Sequence, residues 1–228
     1  MAAMKLYYDP NTTSSRSVTF FLFDQEIPFG EEVISIYAGE QRTASFARVN
    51  PNQQLPVLDD GGFVLTQSSA ILKYLADKLG SATYPSEPRQ RARVNETMDW
   101  FGTNFHVTYC VFLAYRRIVP QFVAFNATTH ADLERVGQLL AAKYLSVLDR
   151  DMLSERLFVC GDEITIADYL GFSHVTLGEY IDFDFSPYPN TKAWLSRMKA
   201  RSGHDAAYAS FRGFVQAARS EIAPRQAQ

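Results

Sequence analysis

Strand-like patterning in this 228-residue chain is confined to its first 80 or so residues; beyond them only helical periodicity recurs. The opening stretch alternates. Lys5 to Tyr8 reads as a strand, and the polar run 11–17, "NTTSSRS", leads into a helix over about 17–25 whose Val18, Phe21 and Leu22 fall at i, i+3 and i+4. Ile27-Pro28 ends that helix. A second strand is predicted over 32–36 and a short irregular helix over 43–49. Val57 to Asp59 and Phe63 to Leu65 then flank Asp60-Gly61-Gly62, a hairpin signal. Ser68 or Ser69 can cap the next helix, with Ile71, Leu72, Leu75 and Leu79 on one face and Gly80 just past its end. The order is βαβαββα.

Pro85 and Pro88 with Ser and Thr mark 83–89 as a linker between a domain over 1–82 and an all-helical domain over 90–228. Amphipathic helices are predicted there over about 90–118, 129–153, 165–181, 191–201 and 205–220. In the second, Leu133, Val136, Leu140, Tyr144 and Leu148 keep one face. Ile164-Thr165-Ile166-Ala167-Asp168 reads as a capping box with Asp in the acidic position, a nucleating device without chemistry of its own.

A net charge of −3 and no basic run longer than Arg116-Arg117 provide no footprint for nucleic acid or an anionic membrane. No stretch approaches the ~20 apolar residues of a membrane span, and none near the start is long enough for a signal peptide, so the expected compartment is the cytoplasm. Cys110 and Cys160 form no paired motif and are expected as buried, reduced thiols. The histidines His106, His130, His174 and His204 have no spacing that suggests a metal site, so none is expected.

Residues 11–15 are polar and uncharged, four of them carrying hydroxyls, where one N-cap would suffice. That surplus has a counterpart elsewhere. In "KLYYDPNTTSSRS", "NPNQQLPVL", "LTQSSAILKYL" and "TIAD", taken in this order and spacing, the chain resembles the soluble glutathione transferase superfamily over nearly its whole length. It is most similar to theta- and delta-like members with bacterial relatives, whose Cys-Arg-Ser or Cys-Arg-Ala aligns with Arg16-Ser17. The resemblance implies a thioredoxin-like N-terminal domain, glutathione as co-substrate and a homodimer.

It also implies site residues. The thiol of glutathione, near pKa 8.5, must be made more anionic to attack an electrophile, and a hydroxyl near the positive end of a helix favours the anion. Alignment through Arg16 puts Thr12 at the catalytic position, with Asn11 beside it; alignment through Tyr8-Asp9-Pro10 puts Thr13 there. Thr13 or Ser14 is alternatively a plain N-cap, and Ser14 is also a candidate glutathione contact. Leu55-Pro56 implies a cis bond and a Leu55 backbone that pairs with the cysteinyl residue of glutathione. Gln53 and Gln54 stand where relatives often place a basic residue toward the glycyl carboxylate. Gln67 and Ser68, at a helix start, suit the γ-glutamyl carboxylate and ammonium. An apolar electrophile is expected against Tyr109, His106 and Phe112, with Phe105, Tyr115 and Arg116 nearby. Thr in place of Ser leaves a disulfide or peroxide reductase as an alternative, and the absent basic residue and absent Glu leave a non-catalytic binding module as another.

Overall fold

The computed structural model describes residues 4–116 and 124–222, with side chains through Ala217. Arg117 and Ile118, at the end of the expected 90–118 helix, lie outside the described residues. The chain divides into two compact units: residues 1–84 together with 199–228, and residues 85–198.

The first unit is built on a four-stranded sheet. Its strands are β1 (Met4–Tyr8), β2 (Gly30–Val33), β3 (Val57–Asp60) and β4 (Phe63–Thr66), in the spatial order β2-β1-β3-β4. β2 runs parallel to β1, whereas β3 is antiparallel to both β1 and β4. The second strand thus starts two residues before its expected place and ends three residues earlier. Its register pairs Lys5 with Gly30 and Tyr8 with Val33, and all four of its residues are exposed at the sheet edge, so no apolar alternation marked it. The β3–β4 hairpin turns through Gly61 and Gly62, both at positive φ, as the turn signal requires.

Three helices and a tail complete this unit: α1 (Thr13–Asp24), α2 (Ala44–Val49), α3 (Ser68–Lys78) and the carboxy-terminal helix α8 (His204–Ile222). α1 starts four residues earlier than expected because Thr12, not Ser17, breaks into extended backbone and caps it. Val18, Phe20, Phe21 and Leu22 are all fully buried, so α1 is covered on more than the one face its spacing indicated. α3 and α8 both pack on it.

The link from residue 199 back to α1 is made by polar groups. At the end of α1, Asp24 accepts from Arg201 Nε (2.6 Å), Ser202 Oγ (3.2 Å) and the Gly203 backbone N–H (3.3 Å). Gly203 lies so close that a Cβ there would stand 2.2 Å from Asp24 N and 2.7 Å from Phe23 C.

Among its described residues the second unit has helices and connecting turns but no strand, apart from an isolated bridge between Phe158 and Gly161. α4 (Pro88–Trp100) begins within the expected linker, with Glu87 capping and Pro88 in the first turn, where a missing N–H is harmless. It runs directly into a π-helical stretch, Phe101–Tyr115. α5 (Ala127–Val147), α6 (Ile166–Val175) and α7 (Pro189–Lys199) follow. On α5 the most buried residues are Gly137, Ala141 and Leu145, one position along from much of the expected stripe. The small residues win because the π stretch comes close: a Cβ on Gly137 would meet Leu113 Cδ2 at 2.8 Å.

The capping box forms at the start of α6. Asp168 is fully buried and accepts from the Thr165 backbone N–H (2.8 Å) and hydroxyl (3.0 Å), the Val159 N–H (2.9 Å) and Trp194 Nε1 (3.0 Å). Burial nevertheless pushes its carboxyl up to about 6, outweighing those hydrogen bonds.

Candidate active site

The register places the site. Tyr7 pairs with Val57, and Val57 with Thr66. The end of β1, the beginning of β3 and the end of β4 therefore share one edge of the sheet. The three segments singled out in the sequence leave from that edge side by side: the hydroxyl turn after Tyr8, Leu55-Pro56 before Val57, and Gln67-Ser68 after Thr66. Two inter-strand steps of about 4.8 Å separate the outer two, roughly 10 Å in all, which matches the ~10 Å reach of an extended tripeptide.

In the turn, Thr12 is the N-cap of α1, and its Oγ1 accepts from the Ser15 N–H at 3.4 Å. Its single proton has two acceptors in reach, the Asp9 carbonyl at 3.0 Å and Ser15 Oγ at 2.7 Å. Ser15 is fully buried and its oxygen also accepts from Asp9 N–H. Thr12 is half-buried, whereas Thr13 is buried as the first helical residue. The capping role therefore falls to Thr12, and neither Thr13 nor Ser14 holds it. Ser14 is half-buried and its carbonyl accepts from Ser17 Oγ.

The turn is braced from several sides. Asp9, buried, accepts from Asn11 N–H (2.8 Å) and Ile36 N–H (3.0 Å). Arg16 is fully buried, donates to the Asn11 carbonyl at 2.6 Å, and lays its guanidinium 3.6 Å from the Phe211 ring centre. Ser210 Oγ donates to Asn11 Oδ1 at 3.1 Å. Asn11 is thus held by both its backbone and its side chain. Tyr8 donates to Glu31, and burial, aided by that bond, raises its phenol well above the ordinary value, so it stays protonated.

The Leu55-Pro56 bond is cis, as the resemblance implied. Leu55 is half-buried and stands outside the β-ladder, which begins at Val57. Gln54 is exposed with its carbonyl held by Asn50 Nδ2 at 2.8 Å, and Gln53 sits at a φ of 53°.

Gln67, not Ser68 or Ser69, is the N-cap of α3. Its φ of 70° and ψ of 114° are unusual for a residue with a Cβ, and its side chain makes no capping hydrogen bond. Ser68 begins the helix. The exposed Gln67 side chain and the first-turn N–H groups of α3 thus stand together where an anionic group would be received.

The expected electrophile-facing residues separate. Phe105 and Tyr109 are fully buried, and the Tyr109 hydroxyl donates to the Val175 carbonyl at 3.1 Å. Burial raises its phenol far above the ordinary value. Tyr109 is therefore a core residue of the helical unit. Arg116 is buried and paired with Glu134 at 2.7 Å. His106, Phe112 and Tyr115 are half-buried. Sequence reasoning did not anticipate Asp9, Ser15 or the part of α8 that braces Arg16; only the hydroxyl surplus itself hinted at Ser15.

Comparison with known proteins agrees with this geometry. The model of the glutathione S-transferase N-terminal domain matches residues 2–77, and that of the C-terminal domain matches residues 109–202. Glutathione S-transferase theta-2 of Rattus norvegicus is 32% identical over 206 residues, covering 88% of this chain and 82% of that protein. Dichloromethane dehalogenase of Methylorubrum extorquens is 27% identical over 214 residues, covering 87% and 72% respectively. Among solved structures, human glutathione transferase theta-2 in complex with glutathione and an unknown ligand superposes with a TM-score of 0.86. It is 25% identical and covers 96% of this chain and 91% of that one.

Proposed function

Since this chain belongs to the glutathione S-transferase family, in its theta- and delta-like part, and is a transferase, we propose how its residues carry out that activity. Glutathione lies along the shared sheet edge. Leu55 pairs its backbone with the cysteinyl residue, Gln67 and Ser68 receive the γ-glutamyl end, and Gln54 faces the glycyl carboxylate. Thr12 donates to the sulfur. The observation that carries this reading is the pairing of Tyr7, Val57 and Thr66, with Thr12 at the very start of α1.

The magnitudes suffice. A hydrogen bond to a charged group contributes about 1.5–3 kcal/mol and a helix terminus about 0.3–1, together about 2–4 kcal/mol, or about 1.5–3 pKa units. A thiol near 8.5 would fall to about 5.5–7, so that at least about half is thiolate at neutral pH. Thr12 has one proton, so it must turn from Asp9 or Ser15 toward the sulfur. Ser15 then reverses its own hydroxyl and donates to Thr12 Oγ1, which keeps every oxygen satisfied.

The thiolate attacks carbon or displaces halide from an apolar electrophile. His106 and Phe112 remain the candidates to meet it. Exposed Phe63 and Val64 on edge strand β4 are consistent with a homodimer. No helix among the described residues is long and apolar enough to cross a membrane, consistent with a cytoplasmic location. The relatives' transferase names favour conjugation over the reductase and binding-module readings.

The test is an ultraviolet difference titration of thiolate absorbance for glutathione bound to wild type, Thr12→Ala and Thr13→Ala. The pKa should drop by more than about one unit in wild type and Thr13→Ala, and return in Thr12→Ala. An unshifted thiol in wild type would refute activation, and loss in Thr13→Ala alone would move the role to Thr13. Thioether product, rather than oxidised glutathione, separates conjugation from reduction.

A further inference from the structure

Away from the sheet edge, the helical unit brings together three side chains that the chain order keeps apart. His106 and Cys110 lie four residues apart on the π-helical stretch, and His174 lies on α6. One ligand atom from each falls within 4.8 Å of the others. We propose that His106, Cys110 and His174 form a binding site for a soft d10 cation of the Zn²⁺ or Cu⁺ type, with an exogenous fourth ligand.

Two observations support it. His106 Nδ1 is buried with no hydrogen-bond partner, an unmet demand on one of the three side chains that a cation would satisfy. His174 Nδ1 lies 2.7 Å from the Leu170 carbonyl. A carbonyl only accepts, so Nδ1 carries the proton and Nε2 is the basic nitrogen; this is the outer-shell arrangement typical of metal-ligating histidines.

The required closure is small. Metal–nitrogen bonds of about 2.0–2.1 Å and metal–sulfur bonds of about 2.3 Å in a tetrahedron put ligand atoms about 3.3–3.6 Å apart. The present spread contracts by at most about 1–1.5 Å, within reach of side-chain rotation. Cys110 Sγ now donates to the His174 carbonyl at 3.8 Å. On binding, the thiol releases its proton to solvent, and a sulfur–metal bond replaces that weak hydrogen bond. Two imidazoles and a thiolate select zinc or cuprous ion over magnesium or calcium. The half-buried His106 provides the point of entry, since Cys110 and His174 are buried.

The test uses the untagged full chain, reduced, free of glutathione and stripped with a chelator, titrated with Co²⁺ as a spectroscopic stand-in. The expected result is one equivalent bound per chain with a thiolate-to-cobalt charge-transfer band, discharged by Zn²⁺. Cys110→Ser should abolish the band, Cys160→Ser should retain it, and His106→Ala should weaken binding by at least about tenfold. Circular dichroism checks that each variant is folded. Should Cys110→Ser not fold, His106→Ala, at a half-buried position, decides between site and no site. Binding without a thiolate band, a band that follows Cys160, or affinity indifferent to His106→Ala would overturn the site.

Discussion

Gln67→Gly should make the protein more stable and a worse glutathione binder at once. Gln67 sits at φ 70° and ψ 114°, where a residue with a Cβ is strained by about 1–3 kcal/mol. Glycine removes that strain but adds about 0.5–1 kcal/mol of unfolded-state entropy to overcome. The Gln67 side chain is exposed and makes no capping hydrogen bond, so the unliganded protein loses little else. The net gain is about 1 kcal/mol, or about 2–4 °C in the midpoint for a chain of this size. With Gln67 in its proposed role at the γ-glutamyl end, glutathione should lose about 1–2 kcal/mol, or about 5- to 30-fold in affinity. Calorimetric melting without ligand and isothermal titration with glutathione read the two effects separately. A lower midpoint would show that the backbone at 67 is not strained, and an unchanged affinity would remove Gln67 from the binding site.

Three further substitutions probe what holds each unit together internally. Gly203→Ala should destabilise by about 1–3 kcal/mol, because its Cβ would meet the α1 backbone at 2.2 Å and backbone cannot swing aside; Gly213→Ala, with nothing within 4 Å, should be neutral or slightly stabilising in a thermal melt. At Asp168 the folded-state pKa is raised from 3.8 to about 6, so the folded protein holds the proton more tightly than the unfolded chain. The stability from this group is fully present below about pH 4 and is lost as pH rises through 6. Between pH 5 and 8 the wild type should lose about 1–2 kcal/mol relative to Asp168→Asn in chemical denaturation, whereas parallel profiles would refute the shift.

The element order and the three segments that share the sheet edge are legible in the sequence because each carries a local signal: alternation, turn glycines, an x-Pro pair, a helix start. What a segment's own residues do not encode stays hidden there. The N-cap of α1 is Thr12 rather than a residue nearer Ser17, since every residue from 11 to 15 is a plausible cap and only the backbone decides. Gln67 displaces two better capping residues at α3 for the same reason. Tyr109 looks like pocket lining because an aromatic at helical spacing reads alike whether it faces a cavity or a core. His106, Cys110 and His174 look scattered because their proximity is a tertiary fact. The His-x-x-x-Cys step is present, but it gains meaning only when α6 adds its histidine.

The bracing of the hydroxyl turn by Ser210 and Phe211 has a consequence for how the protein is made. Asn11 and Ser210 are 199 positions apart, and the first unit is interrupted by the whole of residues 85–198. At ribosomal speeds that interruption takes on the order of ten seconds to synthesise. Throughout it the nascent chain already carries its sheet and α1, while Arg16 lacks the rings on which it will rest. The part of the protein that is translated first is completed last. The first unit should therefore be complete only once α8 has been made, and truncation before α8 should leave a folded helical unit and an unfinished first unit.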